Sequence, residues 1–281
     1  MNFRPACRLV ASINLLVLTF GLALTLSAAE KKEARVTQVT QNVQLVRTNV
    51  AGRSAAVNDS ISEGTKVRTG ANSRVELTFS DKTITRLGAN TVFDFRDGTR
   101  NLNLEEGALL LQVRKNANGA RISAGAIAAA VTGTTVVLEY HAAYYKFLIL
   151  DGTARLYRPG HLGDSILVKA GQMVFGQPKA ALSDPVDFDI GRFIKTSRFI
   201  TDFSPLGSES LMASESQKQQ REKTKKNLID TNLVIFGGGT VVSLVDPAQV
   251  AAIDQEKAGP SATPGPIPPA TAALNSDERA K

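Results

Sequence analysis

Residues suited to acid–base or metal chemistry are scarce in this sequence. The chain has 281 residues but only two histidines, His141 and His161, and one cysteine, Cys7. A zinc site usually needs three or four ligands, with imidazole or thiolate prominent among them. His141 follows an apparent strand end and His161 lies in a Pro-Gly loop. We interpret both histidines as structural residues and predict no metal site and no cofactor.

Carboxylate pairs occur, but their spacing does not match a catalytic pattern. The acidic residues that stand close together are Glu105 with Glu106, Asp94 with Asp97, and Asp184 with Asp187 and Asp189. A glycosidase needs two carboxyl groups that face each other across a cleft, whereas adjacent residues of a strand point to opposite faces. The three aspartates also lack the glycine and the distal glutamate of a calcium loop. We interpret all of them as turn and cap residues.

The motifs of two further enzyme classes are missing. No Gly-x-Ser-x-Gly elbow is present, so a serine hydrolase of that type is not indicated. Residues 237–239 are three glycines, but no Lys-Ser or Lys-Thr follows them to form a phosphate-binding loop. We predict that the protein is not an enzyme, and we assign no catalytic, cofactor-binding or metal-binding residue. The partner-binding residues cannot be named from the sequence.

The charge balance does not indicate a nucleic-acid partner. Lys and Arg number 33 against 26 Asp and Glu, which gives a net charge of +7. Nucleic-acid binding proteins usually combine a basic stripe with interleaved aromatic residues. The one basic cluster, Lys218 to Lys226, contains no aromatic residue. We therefore predict no nucleic-acid partner.

The N-terminus predicts export from the cytoplasm. Arg4 and Arg8 precede an apolar run from Leu9 to Leu26, and small residues at 27–29 are followed by a charged stretch. This order is typical of a secretory signal peptide over residues 1–29, with cleavage after Ala29. The alternative is an uncleaved anchor, because the apolar run is close to the shortest length that spans a bilayer. We predict a periplasmic or secreted protein that contacts a membrane only if this segment is retained.

The region between Val36 and Pro178 has the pattern of many short strands. Apolar residues alternate with polar ones between regularly spaced glycines, as in Val75, Leu77 and Phe79. This period of two predicts that these three face a core and that Arg74, Glu76 and Thr78 face solvent. Residues 124–131 are rich in alanine, so a helical turn is an alternative for this segment alone. The fold class predicted here is mainly β.

The residues after Pro178 change in character. The apolar spacing between Ile190 and Phe203 predicts a short amphipathic helix packed on the β region. Residues 209–227 contain good helix formers but few apolar residues, which favours an exposed helix or a linker. Two apolar stretches within 233–245 flank the three glycines and indicate a hairpin or two added strands. The Pro- and Ala-rich residues 258–281 cannot build a core and are predicted to be a disordered tail.

A series of motifs in the β region resembles the FecR domain. The first runs from Val57 to Thr91 and includes a Thr-Gly pair, an alternating strand, an Asp turn and Arg86-Leu87. The others follow in the family's order at residues 104–109, 131–137 and 150–154, with 168–172 after them. The resemblance covers about Val36 to Phe175. It implies a stacked-sheet or solenoid-like FecR-type domain, with no known catalytic residues to transfer.

The resemblance implies a regulatory function outside the cytoplasm. In founding members of the family, a cytoplasmic segment controls an extracytoplasmic-function sigma factor, and a periplasmic β domain senses an outer-membrane receptor. Only eight residues precede the apolar run here, so we expect the sigma-regulating segment to be missing. We predict a non-catalytic interaction or sensory module of the bacterial envelope. The alternative is a transmembrane sigma-factor regulator with an uncleaved N-terminal anchor.

The predicted organisation has four parts. Residues 1–29 form the signal peptide, 30–182 the FecR-type β domain, 183–257 a helical connector with a β-hairpin, and 258–281 the disordered tail. The expected partner is another envelope protein or a cell-surface polymer.

Overall fold

A computed structural model describes residues 33–47, 50–96 and 101–222 of the chain. The predicted signal peptide at 1–29, the predicted hairpin within 233–245 and the predicted tail at 258–281 lie outside the described residues. Within the described ranges, none of the helices has both the length and the apolar character needed to cross a membrane.

Strands dominate the described chain. Their bounds are β1 Glu33–Thr40, β2 Val43–Arg47, β3 Val50–Ser54, β4 Ser60–Ser62, β5 Lys66–Thr69, β6 Arg74–Phe79, β7 Ile84–Leu87, β8 Val92–Arg96, β9 Asn101–Gln112, β10 Ala120–Ala124, β11 Ile127–Val131, β12 Thr135–Tyr140, β13 Tyr145–Asp151, β14 Thr153–Tyr157, β15 Ser165–Lys169, β16 Gln172–Gly176 and β17 Val186–Asp187. The mainly β prediction is confirmed.

The strands form two layers that share one long strand. Sheet I has the order β4-β1-β6-β7-β9-β12-β13-β16-β17. Sheet II has the order β3-β2-β5-β8-β9-β10-β11-β14-β15. The β9–β10 pairing is parallel and the other pairings within these two orders are antiparallel. From β10 onward the chain alternates hairpin by hairpin between the layers, which agrees with the predicted stacked-sheet architecture.

Strand β9 passes from one sheet to the other at Gly107. Its first half pairs with β8 and β10 in sheet II, and its second half pairs with β7 and β12 in sheet I. Gly107 has a φ of 96°, and a Cβ atom placed there would lie 2.4 Å from Thr91 Oγ1. A side chain is therefore excluded by both the backbone conformation and the close approach of Thr91.

The alanine-rich residues 124–131, for which a helical turn was the alternative, form part of a β-hairpin. Ala124 pairs with Ile127 across a tight turn, and Gly125 adopts a positive φ of 51°. Ile122, Ala129 and Val131 from its two strands are buried in the core. The small side chains pack against the opposite sheet, and this burial favours the extended pairing over an isolated helical turn.

The hydrophobic core fills the space between the two inner faces. Val75, Leu77 and Phe79 point into it as the alternation predicts, with exposed fractions of 0%, 0% and 3%. Phe79 meets Phe95 of the opposite sheet edge to face, with ring centroids 5.0 Å apart. The inward set of β6 therefore follows from its period of two.

Three helices cover the outer face of sheet I. They are α1 Ile190–Thr196, α2 Arg198–Thr201 and α3 Glu209–Glu222. The side chains of Asp189 and Ser197 cap α1 and α2 by accepting from backbone N–H groups. The helix predicted over 190–203 thus forms as two short helices with a break at Ser197, and both pack on the β region.

The expectation that Arg74 and Glu76 face solvent is wrong. Both point away from the core, as predicted, but each is only 6% exposed. On the same outer face Leu110, Val137 and Leu148 are also buried, outside the core between the sheets. The helices supply the cover, so this sheet is buried on both faces and its outward residues lie in a second interior.

Helix α3 forms where a helix was predicted, but it is not an exposed connector. Met212, Ser216 and Gln219 lie on one face of the helix and are buried. Gln219 donates to the Phe188 carbonyl and accepts from the Ile190 backbone N–H. The buried face is largely polar, and its Gln219 amide satisfies two backbone groups next to α1, so a count of apolar residues misses this face.

Candidate functional site

His141 belongs to a compact polar cluster at the turn of the β12–β13 hairpin. Its Nε2 lies 3.0 Å from Glu139 Oε1, and Tyr144 donates to the same oxygen at 2.9 Å. Lys146 Nζ lies 2.8 Å from Glu139 Oε2. Glu139 and Lys146 are each only 3% exposed. Both oxygens of the carboxylate are therefore engaged inside the protein.

The electrostatics of this cluster fit a structural role for Glu139 and His141. Burial acts to raise the pKa of Glu139, but contacts with His141, Lys146 and Tyr144 outweigh it and hold the pKa below the usual range. Burial and the adjacent carboxylate raise the pKa of Tyr144. A general base needs a free lone pair within reach of a substrate, and Glu139 does not present one. The cluster holds the hairpin end together, which supports the structural interpretation of His141.

His161 lies in a separate, exposed loop. Its Nδ1 is 3.3 Å from the Pro159 carbonyl, and the loop is closed by an ion pair of 2.9 Å between Arg158 and Asp164. No group of three or more His, Cys, Asp or Glu residues within the described ranges is placed to hold a metal ion.

The carboxylates singled out from the sequence have separate partners. Glu105 pairs with Lys66, and Asp94 accepts from Asn103 Nδ2 at 2.9 Å. Asp189 caps α1 by accepting from the Arg192 N–H at 2.9 Å. Asp97 lies outside the described residues. These contacts agree with the turn-and-cap interpretation for Asp189. That interpretation is wrong for Glu105 and Asp94, which lie within β9 and β8: Glu105 makes a surface ion pair, whereas Asp94 is only 7% exposed.

The residue that sequence reasoning missed is Arg86 on β7. It is 1% exposed and lies on the outer face of sheet I, where its Nε donates to Glu76 Oε2 at 2.8 Å. Its two terminal nitrogens donate to the carbonyls of Phe199, at 2.6 Å, and Ser204. The Phe203 ring stacks 4.7 Å from its guanidinium carbon. Arg86 therefore fastens the α2 region to the sheet.

A second ion-pair group reinforces this attachment. Asp202, at the end of α2, lies 3.0 Å from Arg74 Nη2 and 2.7 Å from Arg198 Nε. Burial acts to raise the pKa of Asp202, but the two arginines hold it below its usual range. Arg74 and Arg86 lie on the adjacent strands β6 and β7, and the cross-strand pair of Val75 and Leu87 lies between their two positions. The only sequence signal for this pair was two arginines at outward positions of short apolar strands.

Two open clefts flank α3, with volumes of about 630 and 540 Å³. Both are lined by Lys115 and Gly133. The larger also contains Lys169 and Glu215, so its charges are mixed. Asp151 in the smaller cleft is 7% exposed, and burial raises its pKa. The clefts lie within the usual size range of ligand sites, but their charges do not point to one ligand class.

The outer face of sheet II is different because many of its side chains are exposed, although Asp94 and Ala128 are buried. Arg96, Arg121 and Arg155 occupy one row across the sheet, since their positions are connected through paired residues of the intervening strands. The intervening positions are Asn101 and Ala130, and Leu167 follows Arg155 on β15. We call these six positions the arginine row. Its three arginines are all exposed.

Acidic residues of the strands that carry this row are confined to one end of it, since β8 and β9 contain Asp94, Glu105 and Glu106. β10, β11, β14 and β15 contain no Asp or Glu, and their basic residues Arg121, Arg155 and Lys169 are all exposed. Arg121 lies over the Tyr157 ring at 5.6 Å, and Arg155 donates to Ser165 Oγ at 3.2 Å. Neither arginine pairs with a carboxylate in the described part of the chain. This face can bind anionic groups.

The fold is thus a strand-rich, two-layer domain with a helical cover on one layer and a cationic face on the other. Residues 65–155 match the family described as FecR protein. The match runs from the residue before β5 into β14, and it confirms the resemblance noted from the sequence. No curated protein matches the chain.

Similarity to solved structures is weak. Two crystal structures of "a putative anti-sigma factor" from Parabacteroides distasonis ATCC 8503, at 1.65 and 2.50 Å resolution, are each 12% identical to this chain. Their TM-scores are 0.40 and 0.39, and the matches cover 46% and 59% of this chain. The first match spans 64% of the solved chain and the second 97%. At these TM-scores the similarity says nothing about function.

Proposed function

We propose that this protein is a non-catalytic interaction and sensory module of the bacterial envelope that acts in regulatory signalling. The observation that carries the proposal is the FecR match over residues 65–155, because regulators of that family use an extracytoplasmic β domain to contact other proteins. The partner is expected to be another envelope protein.

The geometry of the polar groups is in keeping with binding. His141 and Glu139 are occupied by each other and by their neighbours, Glu105 is paired with Lys66, and the buried Asp94 accepts from Asn103. The groups left exposed in a continuous arrangement are the arginines of sheet II. Such a face contacts a partner without any chemical step.

The proposed location is the periplasm or the exterior, reached by a signal peptide that is removed after Ala29. The support is the order of charged, apolar and small residues within 1–29. The second candidate function is a transmembrane regulator of a sigma factor. It is favoured by the length of the apolar run Leu9–Leu26, which is close to the shortest that spans a bilayer.

Mass spectrometry of the protein purified from its host separates the two candidates. A soluble form that begins at Glu30 supports the envelope module, whereas a membrane-bound form that retains Met1 or Asn2 supports the sigma-factor regulator. The interaction role is tested by crosslinking in intact cells followed by identification of partners. Failure to recover any protein partner at several surface positions contradicts the proposal.

A further inference from the structure

The arginine row is a regular cationic array. Neighbouring strands lie about 4.8 Å apart, so arginines on alternate strands are separated by about 10 Å. Arg96, Arg121 and Arg155 stand on β8, β10 and β14, which are alternate strands of sheet II. The array therefore extends for about 19 Å across the sheet.

The residue between Arg121 and Arg155 has a short side chain. Ala130 separates Arg121 from Arg155 and is exposed, and Ala128 next to it on the same face is almost fully buried. The short side chain of Ala130 leaves the space above it open between Arg121 and Arg155, whereas Ala128 is already covered by its neighbours. An extended or helical segment can therefore approach the sheet surface while the guanidinium groups reach around it.

The chemistry of the row favours carboxylates on a protein. A guanidinium group is a planar fork that binds a carboxylate through two parallel hydrogen bonds. Arginine and tyrosine are enriched at the centres of protein interfaces, and Tyr157 lies beside Arg121. A sugar polymer would need a free aromatic surface to stack on, but Tyr157 is the only aromatic residue of β10, β11, β14 and β15, and Arg121 lies over its ring.

We propose that the arginine row is the docking surface for an acidic segment of a partner protein, whose carboxylates pair with Arg121 and Arg155. The proposal deepens the proposed function and rests on it, since it names the surface and the chemistry of the partner. The opposite face of the domain is unsuited to the same role because α1–α3 cover it and its arginines already have partners.

The first test measures binding of fluorescently labelled poly-L-glutamate to the full-length protein by anisotropy. Ala130→Glu places a carboxylate between Arg121 and Arg155, and we expect at least about tenfold weaker binding. Ala130→Gln adds nearly the same volume without charge and should stay within about twofold of the unsubstituted protein. Raising the salt concentration should weaken binding, because exposed charges are screened.

A second pair of variants controls for net charge. Arg121→Glu and Lys195→Glu change the charge of the chain by the same amount, but Lys195 is exposed on α1, away from sheet II. Arg121→Glu should weaken binding at least about tenfold and Lys195→Glu less than about twofold. Equal losses would show a general charge effect and overturn the proposal. Circular dichroism of each variant verifies that the fold is intact.

Other polyanions give the contrary outcomes. Binding of dextran sulfate or of anionic lipid vesicles without binding of poly-L-glutamate would overturn the assignment to a protein segment.

The last step places a photocrosslinking residue at position 130 or 195 of the full chain in intact cells. An identified partner captured at 130 through an acidic segment supports the proposal. Capture at 195 alone overturns it and leaves the proposed function standing, whereas capture at neither position contradicts the proposed function as well.

Discussion

On the outer face of sheet I, Arg74 and Arg86 are buried beneath α1–α3, whereas Arg121 and Arg155 on the outer face of sheet II are exposed. In β6 and β7 of sheet I, as in β10 and β14 of sheet II, the arginines occupy outward positions. What differs is the cover. Arg86 has backbone carbonyls, a carboxylate and an aromatic ring around it, whereas Arg155 contacts one hydroxyl.

This comparison teaches that one residue type in one strand pattern has two roles. A buried guanidinium loses its hydration, so it is tolerated only where hydrogen bonds and an opposite charge replace the water. Burial accordingly lowers the pKa of Arg86, and the contacts with Glu76 oppose that shift. An exposed guanidinium keeps its hydration and remains available for a partner. The helical cover therefore buries the arginines of sheet I and leaves those of sheet II exposed to solvent.

The largest expected effect is the loss of the charge under the helices. Arg86→Met should lower the free energy of unfolding by about 3–5 kcal/mol, because Glu76 and two carbonyls lose a buried partner. Urea unfolding followed by circular dichroism measures it. Arg121→Met on sheet II is the matched control and should stay within about 0.5 kcal/mol. Comparable losses in the two variants would contradict the division between the faces.

The helical cover can be tested with two adjacent residues of α3. Met212 is 0% exposed and Leu211 is 36% exposed. Met212→Ala should lower the free energy of unfolding by about 2–5 kcal/mol, and Leu211→Ala should lower it by less than about 1 kcal/mol. Thermal and urea unfolding of both variants provide the measurement. If Met212→Ala is as mild as Leu211→Ala, then α3 does not seal the outer face of sheet I.

The Glu139 cluster makes a prediction about pH. Because the pKa of Glu139 is held below 4.5 in the folded protein, its contribution is complete above that pH and is lost as the pH falls through the folded value. Glu139→Gln should lower the free energy of unfolding by about 1.5–3 kcal/mol at pH 7.

Urea unfolding of the unsubstituted protein and of Glu139→Gln at pH 7, 5 and 3 checks this dependence. The difference between the unsubstituted protein and Glu139→Gln should shrink at the lowest pH. The same series with Glu105→Gln, at an exposed pair of sheet II, should show a difference near zero throughout. A difference for Glu139→Gln that grows as the pH falls would contradict the lowered pKa.

The smallest expected effect concerns the arginine row itself. Arg155→Ala should change the free energy of unfolding by no more than about 0.5 kcal/mol, because the exposed guanidinium makes only one hydrogen bond. Differential scanning calorimetry can measure it. A loss of several kcal/mol would show that Arg155 is a structural residue like Arg86, and sheet II would lose its distinction from sheet I.

Part of this architecture was determined by the sequence alone. The alternation of Val75, Leu77 and Phe79 assigned their inward face, because the side chains of a strand point to opposite sides with a period of two. The turn glycines and alternating residues predicted a mainly β region, and the resemblance of its motifs to the FecR domain implied the stacked sheets. The scarcity of histidine and cysteine limited the chemistry that the side chains can perform. These features are local or compositional, so they can be identified from the residues themselves.

Only the tertiary structure decided which outward residues are buried. Arg86 contacts Phe199 and Ser204, which lie 113 and 118 positions further along the chain. No local sequence pattern reveals such partners. The same holds for Gln219, whose buried amide donates to the Phe188 carbonyl 31 positions away, with α1 and α2 between them in the chain. The period of a strand determines which side chains share a face, but the burial of that face depends on whichever distant segment packs on it.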